Sequence, residues 1–254
     1  MVFTAFIIGT AGSGKSQLTS SFAERMEGEK QKVATLNLDP GVATLPYSPD
    51  IDVRDYITIE TVMEEYRLGP NGALLMAADL IAGEIERLKR EIEEIEPDVL
   101  IVDTPGQMEL FAFRVSGPYI VQAISDEPKA IVYLFDSVFS SNPLNYVSNM
   151  LLSAAVYTRF LLPQLHVLSK CDLLPESDLE SVLEWSESSE ALELAINEKL
   201  EGTKRLLSQR MTEVIHDLDL SFPLIPVSAK TNEGLIELNA ALERVFTGGE
   251  KFTY

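Results

Sequence analysis

The sequence predicts an α/β fold: a doubly wound, mainly parallel sheet with helices on both faces. Two observations carry this. Short β-rich apolar runs alternate with longer stretches of helical periodicity, so the chain reads βαβα. Several of the runs are apolar almost throughout, as strands buried on both faces must be. They cover residues 3–9, 33–39, 98–105, 129–137, 165–172 and 222–230, so about six strands are expected. No internal repeat or low-complexity linker divides the 254 residues, so 1–254 read as one domain with helical insertions at about 56–96 and 174–217.

The first run leads directly into "GTAGSGKS", residues 9–16. The spacing fits G-x-x-x-x-G-K-[ST] between a strand and a helix, the context a phosphate-binding loop requires. Gly12 and Gly14 let backbone N–H groups curl around phosphate oxygens, and the helix N-terminus adds its positive end. The expected nucleotide contacts are Gly12, Ser13, Gly14, Lys15, Ser16 and Gln17. Lys15 would reach the terminal phosphates and Ser16 would bind Mg²⁺.

The second run ends at Asp39, in "NLDPGVATLPYSPDIDVRD". Opposite the phosphate loop, Asp39 suits a magnesium-binding or water-positioning role; the alternative is a plain Asp-Pro turn initiator. Asp52, Arg54 and Asp55 read as local surface pairs or a helix start. Residues 56–96 then hold a short helix, "GPNG" at 69–72 and a long helix. By residue type alone this is an ordinary turn: Gly69 stops one helix, Pro70 prevents its continuation and Asn71 caps the next. In the long helix Ile81, Ile85, Leu88, Ile92 and Ile95 form one apolar stripe, suited to packing on the sheet and also to a subunit contact.

The third run ends in "DTPGQME", residues 103–109. An Asp at this strand end points into the same crevice as the phosphate loop. Asp103 would hold Mg²⁺ through a water, Gly106 would approach the γ-phosphate, and Gln107 or Glu109 would orient the attacking water. The competing reading is a strand-to-helix turn with a Glu in the first helical turn. The fifth run ends in "SKCD", residues 169–172. Guanine offers N1–H and an exocyclic amine side by side, and one carboxylate, Asp172, can accept both; adenine supplies no such pair. The stem of Lys170 can lie over the base. The first position of such a motif is commonly Asn, and here it is the shorter Ser169. An acidic, helix-rich stretch follows, and the last run ends in "SAK", where Ser228 and Ala229 would place a backbone N–H near guanine O6. Together these loops select GTP over ATP.

Bulk properties narrow the remaining classes. The net charge of −20 repels phosphates, which excludes a general nucleic-acid or membrane-surface binder and permits docking on a basic protein. The single cysteine, Cys171, rules out an internal disulfide, and with two distant histidines it offers no zinc-ligand spacing. The apolar start is too short for a secretory signal, and the longest apolar stretch is broken by Arg159 and Pro163, so the expected location is the cytoplasm.

With "GTAGSGKS", "NLDPG…PY…DVRD", "GPN", "DTPGQME", "SKCD" and "SAK" in that order over nearly the whole chain, the sequence resembles the GPN-loop GTPases. The resemblance implies a P-loop NTPase sheet, Mg²⁺-dependent hydrolysis of GTP to GDP, and a homodimer of the archaeal type. In it the Gly69-Pro70-Asn71 loop of one subunit reaches the nucleotide of the other, with the Asn71 amide near the γ-phosphate or released phosphate. It also implies nucleotide control of dimer shape and a part in assembling a larger complex, with RNA polymerase as one possible client. Two rivals stand beside it. A small-molecule kinase would need an acceptor pocket and usually an arginine-rich lid; residues 174–217 contain Lys199, Lys204, Arg205 and Arg210 but are strongly acidic. A GTP-binding switch with negligible hydrolysis would keep the same binding loops.

Overall fold

The computed structural model describes residues 2–199, 205, 206, 210 and 223–247. Seven strands form one sheet: β1 (Phe3–Gly9), β2 (Val33–Asn37), β3 (Ile51–Asp52), β4 (Val99–Asp103), β5 (Lys129–Asp136), β6 (Gln164–Ser169) and β7 (Leu224–Val227). Their order is β3-β2-β4-β1-β5-β6-β7 and every pairing is parallel. The chain winds away from β1 to β2 and β3, returns through β4, and then crosses to β5. The direction of winding therefore reverses beside β1, which opens a crevice at the carboxyl ends of the strands.

The helices in chain order are α1 (Lys15–Gly28), α2 (Ile59–Tyr66), α3 (Pro70–Ile81), α4 (Ile85–Ile95), α5 (Met108–Ala112), α6 (Ser116–Ala123), α7 (Ser137–Ser140), α8 (Pro143–Phe160), α9 (Glu176–Glu187), α10 (Ser189–Lys199) and, as the next described helix, α11 (Leu235–Phe246). Alternate residues of each strand feed two cores. On one face Ala5, Ile7, Ile101 and Val132 pack under Leu18, Phe22 and Met26 of α1 and Leu235, Leu238 and Leu242 of α11. On the other, Phe6, Ile8, Leu36, Val102, Tyr133 and Phe135 pack under residues of α2 to α6 and α8 to α10. Burial on both faces is why these strands lack polar alternation.

Four local expectations change. The seventh strand, β3, was not expected, because its two residues form no apolar run. It is drawn to the sheet edge by side chains: Asp50 Oδ2 accepts from Thr35 N at 2.7 Å and from Thr35 Oγ1 at 2.8 Å. The polar tails of several runs lie beyond the strands, so Asp39, Pro105 and Ala229 are loop residues and Asp172 sits in a 3₁₀ turn over Cys171–Leu173. The expected long helix is broken by a 3₁₀ turn over Ala82–Glu84, although Ile81, Ile85, Leu88 and Ile92 are all buried in one core. Finally, α2 ends at Arg67, which takes the left-handed conformation, and not at Gly69. Gly69 is the N-cap of α3, Pro70 its first residue, and Asn71 lies inside the first turn rather than capping it. Helices α9 and α10 make up most of the described part of the acidic insertion; residues 200–204, 207–209 and 211–217 of that expectation lie outside the described residues. Among the described residues no helix is long and apolar enough to cross a membrane.

Candidate nucleotide site

The phosphate loop leaves β1 at Gly9 and enters α1 at Lys15. Gly12 and Gly14 take φ of 77° and 92°, values open to glycine and strained for L side chains, and Gly14 is the N-cap of α1. Lys15 is only 5% exposed. Its Nζ donates to Gly9 O at 2.9 Å, Thr10 O at 3.0 Å and Gly106 O at 3.1 Å. Burial pushes the Lys15 amine down, while the Asp103, Asp39 and Glu109 carboxylates pull it back up. The phosphate loop and the "DTPGQ" segment that leaves β4 thus meet on one ammonium group.

Asp103, at the end of β4, lies between Ile7 and Asn37 in sheet register. Burial raises its carboxyl to about 6, against the opposing pull of the Ser16 and Tyr47 hydroxyls and the Lys15 charge. Tyr47 donates to Oδ2 at 3.2 Å, and Oδ1 is buried with no hydrogen-bond partner. An orphaned carboxylate oxygen near a hydroxyl fits a hard divalent cation such as Mg²⁺. Among the described residues no group of three or more His, Cys, Asp or Glu side chains could hold a metal. Mg²⁺ requires no such group, since it commonly takes one or two protein carboxylates and completes its shell with water and phosphate.

Asp39 stands just past β2. Its Oδ2 accepts from Gly106 N at 2.8 Å and its Oδ1 from Gly41 N at 2.9 Å. Gly106 is therefore held from both sides, its N–H on Asp39 and its carbonyl on Lys15. Gln107 is the N-cap of α5 without a side-chain cap, and Gln107 and Glu109 are both exposed at the rim. Asn71 is also exposed. Leu74, one helical turn on, packs so tightly on Gly41 that a Cβ there would fall 2.9 Å from its Cδ1. The start of α3 is thereby braced against the loop that follows Asp39.

At the other end of the crevice a cavity of about 170 Å³ is lined by Gly14, Gln17, Ser169, Lys170, Asp172 and Ala229, among others. Ser228 Oγ donates to Asp172 Oδ1 at 2.7 Å, so the last two loops are joined before any base arrives. Lys170 has φ of 59° and its Nζ donates to Gly12 O and Asp136. Its stem passes 3.5 Å from where a Gly14 Cβ would stand, across the wall of the cavity. The Ser169 hydroxyl donates to Ser13 O at 2.7 Å and to Phe135 O at 3.1 Å, so it fastens the end of β6 to the phosphate loop. Three residues of this site carried no assignment from sequence: Asn37, Tyr47 and Asp136. A strand-end Asp was the available signal for Asp136; for the other two the contact depends on how the 40–50 loop folds back.

A family profile described as "Conserved hypothetical ATP binding protein" matches residues 7–248. The chain is 32% identical over 253 residues to GPN-loop GTPase 1 of Saccharomyces cerevisiae, covering 95% of this chain and 65% of that protein's length. It is 32% identical over 248 residues to GPN-loop GTPase PAB0955 of Pyrococcus abyssi, covering 96% of this chain and 97% of the relative. The crystal structure of PAB0955, described as a GTPase in apo form, superposes with a TM-score of 0.84 at 31% identity, over 96% of this chain and 97% of that one. The fold, the order of the strand-end loops and these likenesses agree: the chain belongs to the GPN-loop GTPase family.

Proposed function

We propose that this protein is a Mg²⁺-dependent, homodimeric GTPase that hydrolyses GTP to GDP and phosphate. The observation that supports it best is the convergence of Lys15, Asp103, Asp39 and Gly106 at one end of a crevice whose other end holds Asp172 beside a cavity. Ser16 and Asp103 would hold Mg²⁺, which would neutralise charge on the phosphates. Lys15 exchanges its three carbonyl partners for phosphate oxygens. Gln107 and Glu109, helped by Asp39 on the Gly106 amide, orient the attacking water. Asp172, already held by Ser228, accepts both guanine donors, with Lys170 along the base and Ala229 at O6. The family profile's description mentions ATP; the carboxylate at Asp172 favours guanine, because adenine has no adjacent donor pair for it.

The family likeness supports the homodimer, and the exposure of Gly69, Pro70 and Asn71 at the start of a helix braced on the Asp39 loop leaves them open to a second subunit. The Asn71 amide of one subunit serves the phosphate of the other, and nucleotide state sets the shape of the dimer. Work on the assembly of a larger protein complex, such as RNA polymerase, is drawn from the family alone, and the cytoplasmic location from the sequence.

The deciding experiment measures phosphate release from GTP, with Mg²⁺ and no added acceptor, against ATP as control. Release from GTP at rates far above the uncatalysed reaction is expected. Transfer only when a small-molecule acceptor is added would make the protein a kinase, and single-turnover rates no faster than uncatalysed hydrolysis would make it a binding switch.

A further inference from the structure

The segment Asp52–Arg54 has no part in the site described above, yet it is built into it. β3 is two residues long, and its register sets Asp52 beside Asn37. Asn37 is fully buried, at 0% exposed. Its Nδ2 donates to Asp52 Oδ1 at 2.9 Å and to the Asp39 carbonyl at 3.2 Å, and its Oδ1 accepts from Asp39 N at 3.0 Å. One carboxamide therefore grips both polar groups of the Asp39 backbone.

Asp52 is fixed in turn by Arg54. Its Oδ1 accepts from Arg54 N and Nε, both at 3.0 Å, and its Oδ2 accepts from Nη2. The remaining guanidinium nitrogen, Nη1, donates to Val42 O at 3.0 Å and so pins the loop after Asp39. Burial works to raise the Asp52 carboxyl, but hydrogen bonds from Arg54 and Asn37 hold it below the usual carboxylate range. An exposed Asp–Arg pair contributes little. Here the Asp52 side chain is only 12% exposed and both Asn37 donors are engaged, and a satisfied buried network specifies one arrangement. The far end of that arrangement is the Asp39 carboxylate on Gly106 N.

We propose that Asn37 and the Arg54-clamped Asp52 are positioning residues for hydrolysis: they fix the Asp39 backbone so that its carboxylate stays on the Gly106 amide. This rests on the reading of Asp39 and Gly106 as parts of the GTP site.

Asp52→Asn removes the charged acceptor and leaves the volume unchanged. Single-turnover hydrolysis should fall about tenfold while GTP and GDP affinities stay within about twofold, since the lost bond acts on the reacting geometry. In an Asp39→Asn background the same change should have no further effect, because the two residues act as one unit. In the nucleotide-free protein, exchange of the Gly106 amide hydrogen, followed by NMR, should quicken about tenfold in Asp52→Asn. Wild-type hydrolysis in Asp52→Asn, additive losses in the double variant, or unchanged Gly106 exchange each overturn the proposal. Should Asp52→Asn not fold, Arg54→Gln, which keeps the Asn37–Asp52 bond and removes the clamp, should shift the same measurements in the same direction, and no shift overturns it. If Asp39→Asn itself hydrolyses GTP at the wild-type rate, the reading of the site is wrong, and the Gly106 exchange then decides the network by itself.

Discussion

Asp172→Asn separates base recognition from everything else in the site. In the wild type Oδ1 is held by the Ser228 hydroxyl at 2.7 Å, so the carboxylate is oriented before guanine binds. Guanine then supplies two donors to an acceptor-only group. In the variant one oxygen remains and can still accept from Ser228, so the loop keeps its anchor. The new NH₂ faces the guanine amine, donor against donor. Losing the charge-assisted pair weakens GTP binding by about 2–4 kcal/mol, or about 30- to 1,000-fold in affinity. Xanthine carries an oxygen where guanine carries that amine, so the same NH₂ gains a partner and xanthosine triphosphate should overtake GTP. The assay is competition of the two triphosphates against a fluorescent nucleotide, with thermal unfolding as a check that the variant is folded. A folded variant with unchanged preference for GTP would refute the placement of the base.

Three further outcomes follow from the geometry. Lys15→Ala should weaken nucleotide binding by about 100-fold or more, since the ammonium that bridges Gly9, Thr10 and Gly106 is the fixed cation for the phosphates; calorimetry giving near wild-type affinity would count against the phosphate site. Asn71→Ala should slow hydrolysis by up to about 100-fold with GTP affinity nearly intact; mixed with Lys15→Ala subunits it should recover about half of wild-type activity per mixed dimer, and mixed dimers that form but stay inactive while Asn71→Ala alone is fully active would return Asn71 to an ordinary first-turn residue. His166, whose Nε2 lies 3.0 Å from both Ser153 Oγ and Gln164 Nε2, is pushed by burial from 6.5 to about 4. The neutral ring is the folded form, so its contribution is complete above pH 6.5 and is lost as pH falls towards 4. Relative to His166→Gln, the wild type should lose about 3 kcal/mol across that window in urea unfolding, and parallel curves would show that the ring is not held neutral.

What could be read in the sequence was whatever depends on local spacing at a strand end. "GTAGSGKS" defines its own turn and helix start, and "DTPGQ" and "SKCD" follow apolar runs long enough to mark where a strand must stop. Because every strand is parallel, all of those ends fall on one edge of the sheet, so their loops converge whatever lies between them. Asn71 was misread as a cap for the complementary reason: a Pro directly after Gly69 makes Gly69 the cap and leaves Asn71 inside the first turn, a shift of two residues. Asn37, Tyr47 and Asp52 needed more than spacing. Asn37 meets Asp52 only because a 13-residue excursion returns to pair two residues at a sheet edge, and Tyr47 meets Asp103 only because that excursion lies across the end of β4. Neither contact has a period or a motif. Both are held by side chains in and beside the excursion, Asp50 on Thr35 and Arg54 on Val42, which act where the apolar pattern is silent. The loop that carries Asp39 is thus ordered largely by part-buried polar bonds, with apolar packing confined to Leu38 and to Leu74 on Gly41.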